Sequence, residues 1–200
     1  QFNDDYFDRG TVFSGNATVS ATGQSGSRTS ASYSGQGFEL DSVLKTAVNW
    51  FLVEPQGTGV VATLGAIDTR TVNQDMLSLG LVPSDAIDQI FLNSGTDRSP
   101  ERGRLVVHVV DSQLRSVPGI RGTLSTTPEI TQYRMGSTWV LDDNGTSATD
   151  DSGMLFFGNV QTGSTLTRAS VSLSGTSTSR IDVELKTGAV TVVNAIVAGK

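Results

Sequence analysis

Along most of the chain apolar residues alternate with small or polar ones, the period of two that marks half-buried strands. Residues 11–21 mix β-branched and small side chains in this way, and the Gly- and Ser-rich stretch 22–28 reads as a turn. Residues 47–53 form the most apolar piece of the first half, stopped by Pro55-Gln56-Gly57. A further strand is expected over 59–64, continuing past Gly65 to Thr71. In the second half, Leu105-Val106-Val107-His108-Val109-Val110-Asp111 is apolar on both faces, as a central or doubly covered strand would be. Turn signals at Pro118-Gly119 and Asn144-Gly145 bracket the next strands. Asn-Gly in particular predicts a hairpin, because both residues tolerate positive φ. Strands are expected over 164–174, 180–185 and 189–197.

One segment breaks the alternation. Met76, Leu77, Leu79 and Leu81 crowd together ahead of Pro83-Ser84, where Ser84 is placed to cap a helix with Asp85 in its first turn. Ile87, Ile90 and Phe91 then share one helical face, so a short amphipathic helix is expected over about 84–92. The breaker-rich run 93–102 reads as a linker. The expected organisation is therefore a first domain over 8–92, a linker over 93–102 and a second domain over 103–200. The acidic, aromatic-dotted residues 1–10 read as a frayed leader.

Thr149-Asp150-Asp151-Ser152-Gly153-Met154-Leu155-Phe156-Phe157-Gly158-Asn159-Val160-Gln161-Thr162-Gly163 is the most specific stretch. Its T-D-x-x-G turn leads into a strand with Leu155, Phe157 and Val160 at fixed places after Gly153, and a closing Gly163. This layout resembles the carboxypeptidase-regulatory-like domains, which are prealbumin-like (transthyretin-like) β-sandwiches. Phe38, Leu40 and Val43 repeat the spacing of Leu155, Phe157 and Val160 at a constant offset, with Gln36 where Gly153 stands. The repetition suggests a degraded second copy of the same unit. The fold class expected is all-β, with tandem prealbumin-like or immunoglobulin-like β-sandwiches and one short helix near their junction.

Composition narrows the function. With 20 Asp and Glu against 14 Lys and Arg, the net charge is −6, which disfavours a nucleic-acid partner. No cysteine is present, so disulfides and thiolate metal sites are excluded. No run of 18 apolar residues predicts a membrane span. The first residue, Gln1, is read as the product of trimming from a longer, exported precursor. The localisation expected is periplasmic, outer-surface or extracellular, with a lipid anchor through the removed segment as one form of it.

No catalytic set stands out and no cofactor is expected. His108 is the one histidine. It alternates with Val106 and Val110, so packing is the plainer role, and multi-His metal or triad chemistry has too few residues. The peptidase activity attached to the family's name belongs to a separate zinc domain, and no H-E-x-x-H is present here. Asp142, Asp143, Asp150 and Asp151 flank one turn region and are the calcium candidates, although Asp-rich turns also form without metal. A Lys–Asn crosslink of the pilin type is not expected, because Lys45, Lys186 and Lys200 lie outside any predicted first strand. Two functions remain. One is a non-enzymatic spacer or adhesion module with a protein or cell-envelope partner. The other is a carbohydrate-binding module, for which Tyr33, Tyr133 and Trp139 (with Trp50, in a strongly apolar strand) are the candidate stacking rings.

Overall fold

The computed structural model describes residues 13–22, 27–35, 37–45, 48–70, 79–163, 165–175 and 178–198. The leader 1–10, the apolar pair Met76 and Leu77, Gln36 and Lys200 lie outside the described residues. The chain is mostly β with one short helix, and it divides into two compact units, 1–87 and 88–200.

In the first unit, β1 (Asn16–Thr22), β2 (Arg28–Ser34), β3 (Asn49–Gln56) and β5 (Thr63–Ile67) form one antiparallel sheet in the order β5-β3-β1-β2. Two short strands, β4 (Val60–Val61) and β6 (Val82–Pro83), pair beside it. One face of the sheet buries Ala17, Val19 and Val53. Among the described residues the cover comes from Phe13, Phe38, Leu40, Leu79 and Leu81, all outside strands, which pack there with Tyr33 of β2. Phe38 and Leu40 thus belong to a loop rather than to the strand their spacing suggested. The buried Asn49 stitches that loop down, its Nδ2 donating to Thr22 and Leu44 carbonyls while its Oδ1 accepts from the Thr22 amide. The spacing places Phe38 and Leu40 over the sheet, and Val43 forms only a single bridge.

The helix α1 (Ser84–Leu92) matches its expected bounds, and Ile87, Ile90 and Phe91 are buried as the helical face required. The boundary between the units falls within it. Residues 93–102 are bonded into the second unit, where Gly188 donates its amide to the Arg102 carbonyl and Arg104 bonds the Ser99 carbonyl.

The second unit has two sheets. β7 (Gly103–Val110), β9 (Ile130–Met135), β10 (Thr138–Leu141), β11 (Met154–Val160) and β14 (Val190–Ile196) take the order β10-β9-β11-β7-β14. β8 (Arg121–Leu124), β12 (Thr167–Ser174) and β13 (Ser179–Leu185) form the other, ordered β13-β12-β8. β14 runs parallel to β7 while the other pairs are antiparallel. Leu155 and Phe157 point at the smaller sheet, close to Gly122 and Leu173, where a Cβ on Gly122 would come within 2.7 Å of Leu155. Phe156 points the other way and meets Phe91 of α1 and Trp139 of β10 edge-on. Every residue of β11 is buried, and β7 is buried except at His108, so both are covered on two faces as their continuous apolar runs imply. The Asn144-Gly145 hairpin does not form. β9 and β10 turn instead at Gly136-Ser137, and 142–153 is the loop that leads back to β11. Gly136, at φ 61°, supplies that turn.

Candidate functional site

Polar chemistry in the second unit gathers at the end where β7 and β9 finish and β11 begins. The T-D-x-x-G turn is its centre. Thr149 is buried and fixes the 117–120 segment from both ends. Its hydroxyl donates to the Val117 carbonyl (2.9 Å) and accepts from the Ile120 amide (3.0 Å), while its carbonyl accepts from Gly119. Asp150 turns its carboxylate onto the Ser152 amide (2.9 Å), the Ser152 hydroxyl (2.6 Å) and the Gly136 amide (2.6 Å). Partial burial pushes the Asp150 carboxyl up. The Ser152 hydroxyl, the two amides and the Arg134 charge outweigh it and hold the group below the ordinary carboxylate range. Gly153 sits at φ 68°, and a Cβ there would stand 2.5 Å from the Val109 carbonyl oxygen, so backbone geometry and close approach both demand glycine.

Beside this turn, β7 runs into a tight loop, 111–116, that folds back on it. His108 Nε2 lies 2.8 Å from Ser116 Oγ, the imidazole tautomer deciding which atom donates. A histidine touching a serine hydroxyl is half of a nucleophile–base arrangement. The nearby carboxylate is committed elsewhere: Asp111 accepts from the Gln113 and Arg115 amides and grips the Arg115 guanidinium at 2.6 Å. The Arg115 guanidinium, then its amide, holds the Asp111 carboxyl below its usual range. What the arrangement does chemically is close a loop: Leu114 takes a positive φ of 61°, and the loop returns to pair Ser116 with Val110.

The residues singled out from sequence are not assembled into a site. Asp142 caps the Thr146 and Ser147 amides, Asp150 is used as above, and Asp143 and Asp151 are exposed. Among the described residues no group of three or more His, Asp or Glu side chains is placed to hold a metal ion. The stacking rings are corrected more firmly. Trp139 is 3% exposed and packs on Phe156; Tyr133 is 1% exposed and accepts the Gly122 amide at 2.9 Å. Both fill the core of the second unit because an apolar sheet face needs their area. Burial, countered by the Gly122 amide, raises the Tyr133 phenol. Tyr33 is half-buried, stacked on Phe13 and donating to the Phe13 carbonyl. Trp50 is half-buried, and its carbonyl lies within reach of Arg28.

Two polar residues that sequence reasoning passed over are structural anchors. Asn159 interrupts the β11–β7 pairing in a bulge at φ 50°. Its buried amide accepts from Ser99 (3.0 Å) and donates to the Asp97 carbonyl and Glu129 (2.8 Å each), tying the 97–99 segment to the strand. Asparagine after glycine is the signal that was available, since Asn is enriched at positive φ. Arg104 is 2% exposed with its guanidinium on the Gly188 and Ser99 carbonyls and its Nε unpaired. Burial first, then the Arg98 charge, lowers it to about 10 against the opposing pull of Asp88.

Neither a family model nor a curated protein matches this chain. Among solved structures it is similar to the Bacillus anthracis TIE protein, at 12% identity and a TM-score of 0.30, over 93% of this chain and 30% of that one. It is also similar to a streptococcal ancillary pilin, at 11% identity and a TM-score of 0.31, over 93% of this chain and 62% of that one. The chain therefore spans less than two thirds of either. Likeness at this level leaves the function to be argued from the chain's own residues.

Proposed function

We propose that this chain is a non-enzymatic structural or protein-binding module of an exported, surface-associated protein, with its second unit a sandwich of the carboxypeptidase-regulatory-like type. The observation that carries the reading is how the polar groups at the loop end are used. Asp111, Asp150, Thr149 and Ser116 are each committed to hydrogen bonds within or between the loops and strand ends of the cap, which uses for structure the residues that a reaction would need exposed and poised. The T-D-x-x-G turn leading into a fully buried β11 supports the family assignment. No helix among the described residues is long and apolar enough to cross a membrane, and an envelope protein is the partner this reading implies.

The His108–Ser116 contact gives the decisive test. The expected outcome is that Ser116→Ala lowers the urea midpoint and that the intact chain turns over no chromogenic ester, amide or glycoside. Turnover that vanishes in Ser116→Ala would overturn the non-enzymatic reading. The carbohydrate-binding alternative loses two of its three rings to the core. Titration of tryptophan fluorescence with soluble glycans checks what is left, and saturable quenching by any glycan would restore it.

A further inference from the structure

Among the described residues the sheet of the first unit ends in β2, and β2 is an unusual edge. Seven consecutive residues, 28–34, pair in unbroken antiparallel register with β1, from Asn16↔Ser34 to Thr22↔Arg28. In such a ladder every second residue of an outermost strand turns its N–H and C=O away from its neighbour, a template for one more strand. Edges of this kind are ordinarily blunted by short length, charge, proline or a bulge. β8 and β10 are four residues long, and β13 carries Arg180, Asp182 and Glu184 at alternate positions. From Thr29 to Ser34, β2 has none of these devices: its residues are Thr, Ser, Ala, Ser, Tyr and Ser. The charge at its start, Arg28, is folded back over the sheet, its Nη2 donating to the Ser20 carbonyl at 2.8 Å and hydroxyl at 3.0 Å.

We propose that β2 is a homodimerisation edge, pairing antiparallel with β2 of a second copy of this chain about a two-fold axis at Ala31. The strand is self-complementary in that register. Ala31 meets Ala31 of the partner subunit, Ser30 meets the partner's Ser32, Thr29 meets the partner's Tyr33 and Arg28 meets the partner's Ser34. Hydroxyl faces hydroxyl on the exposed side, and Thr faces an aromatic ring on the other, both favourable cross-strand pairs. No like charges oppose each other, and the two Arg28 side chains stand at opposite ends, roughly 20 Å apart for six residues of strand. The half-buried Tyr33, held by Phe13, and the alternation of half-buried and exposed positions along β2 fix which face meets which. Two chains of net charge −6 repel at long range, so added salt strengthens the pairing. This inference is independent of export and of the end cap of the second unit.

The test uses the whole 200-residue chain, which has no cysteine of its own. Sedimentation equilibrium of the unaltered protein is expected to give a concentration-dependent dimer that tightens from low to high salt. Ser30→Lys/Ser32→Lys sets lysine against lysine across the axis and weakens the dimer on the order of a hundredfold. Mixing that variant with Ser30→Glu/Ser32→Glu restores pairing as a heterodimer, which an unfolded variant would not do. Ala31→Cys forms an intermolecular disulfide under mild oxidation, while Ser34→Cys does not. An unaltered chain that stays monomeric overturns the proposal and leaves the edge to a strand of a different polypeptide. A dimer indifferent to the Lys pair overturns it as well, by placing the interface elsewhere.

Discussion

Leu155, Phe157 and Val160 have the spacing of Phe38, Leu40 and Val43, and the two triplets meet different fates. The first lies in β11, paired on one side with β9 and on the other with β7, and is wholly buried. In the second, Phe38 and Leu40 lie outside any strand, only partly buried against the sheet of the first unit, and Val43 forms a single bridge. Spacing specifies which side chains can share a face. It does not decide whether that face lies in a paired strand or in a segment laid over a core: an apolar i, i+2 pair serves either. The glycine ahead of β11 matters too. Gly153 lets the chain pass against the Val109 carbonyl, and Gln36 stands at the corresponding place in the first half.

The widest gap between the two regions is expected on truncating the aromatic rings. Phe156→Ala, which removes a ring held between Phe91 and Trp139, should cost about 4 kcal/mol in urea unfolding. Phe38→Ala should cost about 1 kcal/mol, because half the ring is already wet. Equal losses would mean the loop is as well packed as the strand. Next in size is Gly153→Ala, at about 3 kcal/mol, since it combines a positive φ with a backbone collision. Gly145→Ala, at φ 65° but in open space, should cost only about 1 kcal/mol, so the difference between the two isolates the close approach. Asn159→Ala should cost about 2 kcal/mol and open the 97–102 segment to limited proteolysis, because the buried Asn159 amide holds that segment and Glu129 through three hydrogen bonds that are lost together.

The smallest effect is electrostatic. Asp150 and Asp111 have folded-state carboxyl groups depressed below their unfolded values. Their contribution to stability is therefore present above the ordinary carboxylate range and is lost as pH falls through the depressed folded values. The urea midpoint should drop on acidification, and Asp150→Asn should flatten part of that slope. An unchanged slope in Asp150→Asn would remove Asp150 from the account of the cap.

The second unit was largely legible. β7 and β11 are continuous apolar runs because both faces are covered, and α1 showed its buried face at helical spacing. The end cap was half legible. The T-D-x-x-G pattern marked the turn, but the pairing of His108 with Ser116 joins residues across a loop whose path no periodicity encodes. Tyr133 and Trp139 were misplaced as stacking candidates for the same reason. An aromatic in an alternating strand looks alike from either side, and only the layer above it decides whether the ring is core or surface.

The sequence by itself determined the β class, the helix and the two doubly buried strands, because burial on both faces leaves a continuous apolar run that no loop needs. Tertiary structure alone decided three things: that Phe38 and Leu40 lie outside strands, that 93–102 belongs to the second unit and that 28–34 is a strand. β2 has only small and polar side chains around Tyr33, so no hydrophobic alternation announces it. Its strand character comes from the backbone ladder to β1, a long-range pairing that side-chain pattern does not record.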